Sequence, residues 1–330
     1  MRSTLLLILC LSFSSASFAQ EAVPAPITLK EAAAKTDAKV QGWKPTLTLS
    51  GNLSFGSNSD VIGQQDGDTT TLGTNILGGY SYFSNESEWR NNLTVKAATT
   101  RTPTLARYVK SNDELKFETL YLYSLPSIPW MGPYVKASVE TTLFKGEDIR
   151  QTPTTYVFED LTTTTTSTLR LTDAFKPLTT KESVGAFAKL IDKETMKLET
   201  RLGFGAVQVE ADGQFAVKDD PTTLAVDVDS LESYEQAGIE GGVTFKGLID
   251  TNTTYTLVGE FLVPIIKDLP PGDDRDSLEL TNYDVSAKLT TKLNTWMNLD
   301  YEYKLKKQPQ LLDKNQIQHI LLLNVSYNIF

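Results

Sequence analysis

The sequence predicts an all-β chain: a closed antiparallel up-and-down transmembrane β-barrel of about 12 strands over residues 45–330. Three observations predict it. From Pro45 onward apolar residues recur at every second position in segment after segment, the period of a strand with one greasy face. The connections alternate long, short, long, short, as outward loops and inner turns of such barrels do. All four tryptophans fall at the end of the expected sheet where the short turns lie.

The chain start and the composition set the frame. Residues 1–19 carry one positive charge at Arg2, an apolar run from Leu5 to Leu11, and small residues at Ser17 and Ala19. That is the pattern of a secretory signal peptide cleaved after Ala19. Its apolar run is about half the ~20 residues a spanning helix needs. Cys10, the only cysteine, leaves with this segment, so the exported chain has no disulfide, thiol nucleophile or cysteine metal site. Residues 20–44, opened by Pro24 and Pro26, read as a periplasmic linker. The net charge of −10 without a basic cluster argues against nucleic acid as a partner.

Each strand is justified by its own alternation. Residues 46–56 put Leu47, Leu49, Leu53 and Phe55 on one face and Thr48, Ser50, Asn52 and Ser54 on the other. Residues 70–83 turn Leu72, Ile76, Tyr80 and Tyr82 outward, and residues 87–98 turn out Trp89, Leu93, Val95 and Ala97. Then come residues 112–124 with Leu115, Phe117, Tyr121 and Tyr123, and residues 133–145 with Val135, Ala137, Val139 and Leu143. Residues 182–191 carry Val184, Ala186, Ala188 and Leu190, and residues 195–209 carry Met196, Leu198, Leu202, Phe204 and Ala206. Residues 234–246 show Ala237, Ile239, Val243 and Phe245, and residues 251–265 show Tyr255, Leu257, Phe261 and Val263. Residues 277–293 follow with Tyr283, Val285, Ala287 and Leu289, then residues 295–306 with Met297, Leu299, Tyr301, Tyr303 and Leu305. The final strand, residues 318–330, aligns Leu321, Leu323, Val325, Tyr327 and Ile329. Terminal Phe330 falls out of phase with that face, beside Asn328 and Ser326, so it is re-aimed by a bulge or curls into the aromatic rim.

Long loops are expected at 57–69, 99–111, 146–181, 210–233, 266–276 and 307–314, and short connections at 84–86, 125–132, 192–194, 247–250 and 294. Trp43, Trp89, Trp130, Trp296, Tyr327 and Phe330 form the expected periplasmic aromatic girdle, joined by Tyr82, Phe83, Tyr121, Tyr123 and Tyr134. The long loops hold the excess negative charge, for example Asp66, Glu147, Asp148, Asp219, Asp220 and Asp273, without completing a calcium-loop pattern.

The polar face carries ionisable residues of both signs. The lumen charge network is expected from Arg90, Lys96, Glu118, Lys136, Glu140, Glu199, Arg201, Glu240, Glu260, Lys288, Asp300 and Glu302. Glu88, Glu114, Lys116, Lys189, Lys246 and Lys304 share that face. A soluble core does not hold so many charges, because unpaired buried charge is very costly. Near-balance of sign argues against a strongly ion-selective pore. Glycines on the same face, among them Gly203 and Gly205, leave room either for a bulky neighbour or for solute.

Nothing in the sequence marks an enzyme, a cofactor site or a metal site. The one histidine, His319, has the phase of the lipid-facing residues, and no serine sits in a nucleophile motif. The segments Lys197-Leu-Glu-Thr-Arg-Leu-Gly-Phe-Gly205 and Gln236-Ala-Gly-Ile-Glu-Gly-Gly-Val-Thr-Phe245 show a broad likeness to a known group of proteins. A Pro309…Asp313 loop and the Tyr327-Asn-Ile-Phe330 end add to it. On these residues the chain resembles small Gram-negative outer-membrane barrels, the salt-induced outer-membrane protein family among them. The resemblance implies a closed barrel in the outer membrane and carries over no catalytic residue. The expected partners are outer-membrane lipid, lipopolysaccharide and, during biogenesis, the barrel assembly machinery. The expected function is a small porin-like channel for small solutes, or else a structural envelope barrel shut by its own salt bridges, with an outer-membrane hydrolase as the remaining class.

Overall fold

A computed structural model describes residues 41–58, 67–103, 105, 107–218, 224–269 and 273–329. Residues 1–40, Phe330, Asp66, Asp219 and Asp220 lie outside this set, and with them the expected signal, most of the linker and the expected place of the terminal Phe. The described residues contain sixteen strands and no helix. In chain order they are β1 (Gly42–Asn58), β2 (Gly67–Phe83), β3 (Ser87–Arg101), β4 (Val109–Tyr123), β5 (Met131–Thr141), β6 (Gly146–Phe158), β7 (Thr163–Thr172) and β8 (Leu178–Lys193). There follow β9 (Met196–Glu210), β10 (Gln214–Lys218), β11 (Val226–Leu231), β12 (Tyr234–Leu248), β13 (Thr253–Lys267), β14 (Asn282–Lys292), β15 (Met297–Gln308) and β16 (Leu312–Asn328).

Twelve of them close into the expected antiparallel barrel, in the ring order β1-β16-β15-β14-β13-β12-β9-β8-β5-β4-β3-β2. Apart from two excursions, each strand lies beside its predecessor, an up-and-down barrel without a free sheet edge all round. The outward positions stay apolar and exposed: Leu202 is 60% exposed, Phe204 66%, Phe55 66% and Leu321 64%. The inward positions hold the charges, with Lys96, Glu118, Lys136, Arg201 and Glu302 all buried.

The excursions correct the expectation of two long loops. Residues in 146–181 and 210–233 build a separate four-stranded sheet in the order β10-β11-β6-β7, with β11 parallel to β6 through Val226↔Tyr156. Tyr156, Val226 and Val228 are its buried core, packed by Phe158, Leu169, Phe215 and Val217. Two of its strands are only 5 and 6 residues long, and β7 is mostly threonine, so no single segment announces an apolar face. Threonine is β-branched and fits a pleated surface well, which is why the Thr-rich run pairs instead of looping. The sheet stands over the long-loop mouth of the barrel. Its Leu171, Phe215 and Leu231 share a cavity of about 180 Å³ with Asp113, Glu140 and Gln308 of the barrel rim.

Other strand bounds shift by a few residues, the strand expected at 133–145 ending at Thr141 for example, and two bounds differ more. The strand expected from residue 277 begins at Asn282, because the Asp276 carboxylate accepts the Leu278 and Glu279 N–H groups (2.7 and 2.9 Å) and folds residues 276–279 into a turn. The loop expected at 307–314 closes tightly between Gln308 and Leu312. Polar residues there ladder as well as apolar ones, since the ladder is made by backbone groups.

Closure between β1 and β16 is the shortest seam. Their pairing runs only from Thr48↔Asn328 to Asn52↔Asn324, extended by the Ile329 N–H to the Leu47 carbonyl (2.9 Å). Among the described residues, Leu53–Asn58 then pair with β2 alone, and Leu321–Leu323 with β15 alone. Cysteines at Gly51 and Val325, which face each other, should therefore cross-link readily under mild oxidation. Cysteines at Leu53 and Leu323 should cross-link far more slowly. Equal rates at the two pairs, read on a non-reducing gel, would contradict this seam.

Candidate functional site

Alternation along each strand aims the charged residues into the lumen, and the ring of strands sets which of them meet. One continuous chain of ion pairs runs Lys189–Glu88 (2.6 Å), Glu88–Arg90 (2.7 Å), Arg90–Glu199 (2.9 Å) and Glu199–Arg201 (3.9 Å). It continues through Arg201–Glu260 (2.9 Å), Glu260–Lys136 and Lys136–Glu118 (3.3 Å). A second chain runs Asp300–Lys288 (2.9 Å), Lys288–Glu302 (3.0 Å), Glu302–Lys96 (3.3 Å), Lys96–Glu114 (3.9 Å) and Glu114–Lys304 (3.8 Å). A third set joins Lys116, Glu140 and Lys306 at 4.0 and 3.8 Å.

Signs alternate along each chain, so the charges largely cancel inside the barrel. The contacts cross the lumen: Arg90 on β3 reaches Glu199 on β9, and Glu140 on β5 reaches Lys306 on β15, diametrically opposite in the ring. All twelve residues expected in the lumen network are brought inside. Eleven of them join these chains, and the twelfth, Glu240, accepts a hydrogen bond from the Tyr134 hydroxyl at 2.5 Å. Glu88, Glu114, Lys189 and Lys304, on the same face but not among the twelve, complete the chains.

Tyr134 corrects the girdle expectation. It is 1% exposed and lies in the lumen. Its strand parity already placed it there, since Tyr134 and Lys136 are two residues apart. Between Tyr134 and Glu240 the pairing row reads Tyr134–Gly185–Gly203–Glu240 across β5, β8, β9 and β12. The two glycines let the phenol lie across two strands to reach its carboxylate. A Cβ on Gly203 would stand 2.1 Å from the Val184 carbonyl oxygen and 2.7 Å from the Gly185 Cα. Gly203→Ala should therefore lower stability by about 1–3 kcal/mol through overpacking, read as a lower unfolding midpoint in denaturant. An unchanged midpoint would show that this row is not tightly packed. Phe83 also differs: its ring lines the lumen cavity, with Lys44 Nζ 5.3 Å from its centre.

The tryptophans gather at the short-turn rim. Trp43 stacks on Tyr80 (4.4 Å) and approaches Trp89 (5.7 Å), whose indole N–H donates to Thr119 at 2.8 Å. Trp130 and Trp296 stand half-exposed in the β4–β5 and β14–β15 turns, and Tyr327 is exposed near the end of β16. Amphipathic rings at one rim of an apolar wall match the preference of indole and phenol for a membrane–water boundary. His319 is exposed on the outer wall and meets the Tyr301 hydroxyl at 2.9 Å.

The lumen is not filled uniformly. Below the ion pairs, toward the short turns, lies a cavity of about 740 Å³. Its floor is Glu118, Arg201, Glu260 and Asp300, and its mouth is Phe83, Asn252, Asn294 and Thr295. Above the floor, toward the long loops, Glu114, Lys304 and Lys96 are buried. The interior is therefore a vestibule ending on a plug of salt bridges.

At the other mouth several loop carboxylates are already neutralised. Glu147 binds Arg107 (3.1 Å) and Lys145 (2.6 Å), and Asp148 binds Arg150 (2.9 Å). Hydrogen bonds from Arg275 hold the Asp273 carboxyl at about 2. Among the described residues no group of three His, Cys, Asp or Glu side chains is arranged to hold a metal ion. In the small sheet, burial, reinforced by its hydrogen bond to Asp148, pushes the Tyr156 phenol up to about 12. The neutral phenol's contribution to that sheet is complete below the ordinary tyrosine value of ~10. It is lost as pH rises through about 12. A spectroscopic titration should show Tyr156 among the late-ionising phenols, and Tyr156→Phe should lower the amplitude of that late step by one tyrosine. A late step of undiminished amplitude in Tyr156→Phe would contradict the assignment.

A closed ring of twelve antiparallel strands with an apolar outer wall, an aromatic rim and a charged interior defines the class: a closed antiparallel β-barrel. No known protein-family model matches the chain, and no curated protein matches it. Among solved structures, the chain is similar to the β domain of the Bordetella autotransporter BrkA, at 9% identity and a TM-score of 0.31, over 87% of this chain and 98% of that one. It is also similar to the translocator domain of NalP from Neisseria meningitidis, at 10% identity and a TM-score of 0.37, over 87% and 88%. The outer-membrane channel DcaP of Acinetobacter baumannii matches at 10% identity and a TM-score of 0.28, over 87% and 97%. Scores this low say nothing about function, and the fold rests on the chain's own strand pairing.

Proposed function

We propose that this chain is an integral outer-membrane barrel of a Gram-negative cell, with its lumen shut at mid-height by its own ion pairs. The observation that carries the reading is the inverted polarity of the wall: exposed Leu, Val and Phe outside, buried and paired Lys, Arg and Glu inside. In water such a wall would expose a very large apolar patch. In a bilayer it meets lipid, and ring closure satisfies the backbone. Residues 1–19 then act as the export signal, and the residues leading to β1 lie on the periplasmic side with the short turns. Strand β16 is what the assembly machinery would meet, and lipid and lipopolysaccharide surround the wall. The likeness to the salt-induced outer-membrane protein family belongs to the same proposal.

The second reading, a small-solute channel, is favoured by the 740 Å³ vestibule. It requires the plug to rearrange. The membrane assignment is tested by fractionation and by gel migration of boiled and unboiled protein. Outer-membrane recovery and heat-modifiable migration are expected. A protein that stays soluble and runs alike in both samples would contradict it.

A further inference from the structure

The vestibule wall carries lysine charge that the plug does not use, at Lys246 and, nearer the short-turn mouth, at Lys292. A single pairing row on the lumen face reads Lys197 (β9), Lys246 (β12), Thr256 (β13), Lys288 (β14), Glu302 (β15). Like charges placed directly opposite in a ladder are unfavourable unless something lies between or beside them. Lys288 is answered by Asp300 and Glu302, and Lys197 turns to Asp192 at 3.4 Å. Lys246 has no carboxylate within 4.0 Å among the described residues, and it lines the cavity.

The carboxylates of the cavity wall are already engaged. Glu88 holds Arg90 and Lys189, Glu118 holds Lys136, Glu260 holds Lys136 and Arg201, and Asp300 holds Lys288. The uncompensated field in the vestibule is therefore positive, from half-buried Lys246 within the wall and exposed Lys292 at the end of β14. Around it the wall is neutral and rich in hydroxyls and amides, with Thr254, Thr256, Thr290 and Asn298 on β13, β14 and β15. Low-dielectric walls focus such a field on whatever enters. The volume is in the range of ordinary small-molecule sites.

We propose that the vestibule is a binding site for a small hydroxylated organic anion, with its carboxylate on Lys246 and its hydroxyls on the threonine wall. The site goes beyond the closed-barrel reading and needs neither membrane insertion nor an open plug.

The test is titration calorimetry on the full chain, folded in detergent at low ionic strength, with sodium gluconate, sodium acetate and sorbitol as probes. Gluconate should bind one site, acetate more weakly, and sorbitol not measurably. Lys246→Gln should weaken gluconate by about tenfold or more, as loss of a charge-assisted hydrogen bond implies. Lys246→Arg should retain it. Thr256→Val should weaken gluconate while leaving acetate unchanged. Absence of gluconate binding to folded wild type, or undiminished binding by Lys246→Gln, would overturn the site. Sorbitol binding as tightly as gluconate would overturn the anion assignment. If Lys246→Gln fails to fold, Lys246→Arg and the acetate arm decide. Since gel migration and conductance report the barrel and the plug separately, failure of the site is distinguishable from failure of the closed-barrel reading.

Discussion

Replacing Glu260 by alanine should destabilise the barrel by about 3–5 kcal/mol, the cost of breaking a buried ion pair from one side. Glu260 bridges Lys136 and Arg201 (2.9 Å) in the middle of the longest chain of pairs. Removing it leaves two buried cations facing each other without a carboxylate between them. The plug is a connected network, so the loss should spread to Glu118 and Glu199 through the same two cations. Refolding into lipid vesicles, followed by the shift between folded and unfolded gel bands in urea, measures it. A Glu260→Ala midpoint within about 0.5 kcal/mol of wild type, the range of an ordinary surface change, would show that the network is solvated and does not seal the lumen.

Leu202→Arg should cost about 2–4 kcal/mol of folding free energy in a bilayer, the cost of an arginine at the midplane of a barrel wall. Leu202 is 60% exposed near the centre of β9, and its strand neighbours Arg201 and Gly203 face the lumen. On a water-soluble barrel the same change would replace an exposed leucine with a polar residue and cost nothing. The two environments therefore predict opposite outcomes for one substitution. Urea titration of the folded fraction in vesicles reads it directly, and an unchanged or raised midpoint would remove the membrane from the account.

The wall was legible in the sequence because each barrel strand divides two environments. Val184 and Ser183, or Leu202 and Arg201, are neighbours in the chain and opposites in polarity. That contrast is local, so parity alone places the lumen charges. Their partners were not legible. Arg90 meets Glu199 109 positions later, and Lys96 meets Glu302 206 positions later. Such meetings depend on how the ring closes and staggers, which no single segment encodes. Tyr134 was drawn to the rim by its closeness to Trp130, although its parity with Lys136 pointed inside. The sheet over the long-loop mouth stayed hidden for a different reason. Its apolar core is assembled from residues of two separate excursions, such as Tyr156 and Val226, and the first half of β7 is a run of threonines, with leucines only at Leu169 and Leu171.

Conductance of the purified full chain in a planar bilayer tests the closed lumen most directly. Wild-type protein, shown to be folded by its heat-modifiable migration, should produce no steady current steps, while Glu260→Ala and Arg90→Ala, which cut the plug, should produce them. Large, stable steps from the wild type would contradict a lumen sealed by its own ion pairs.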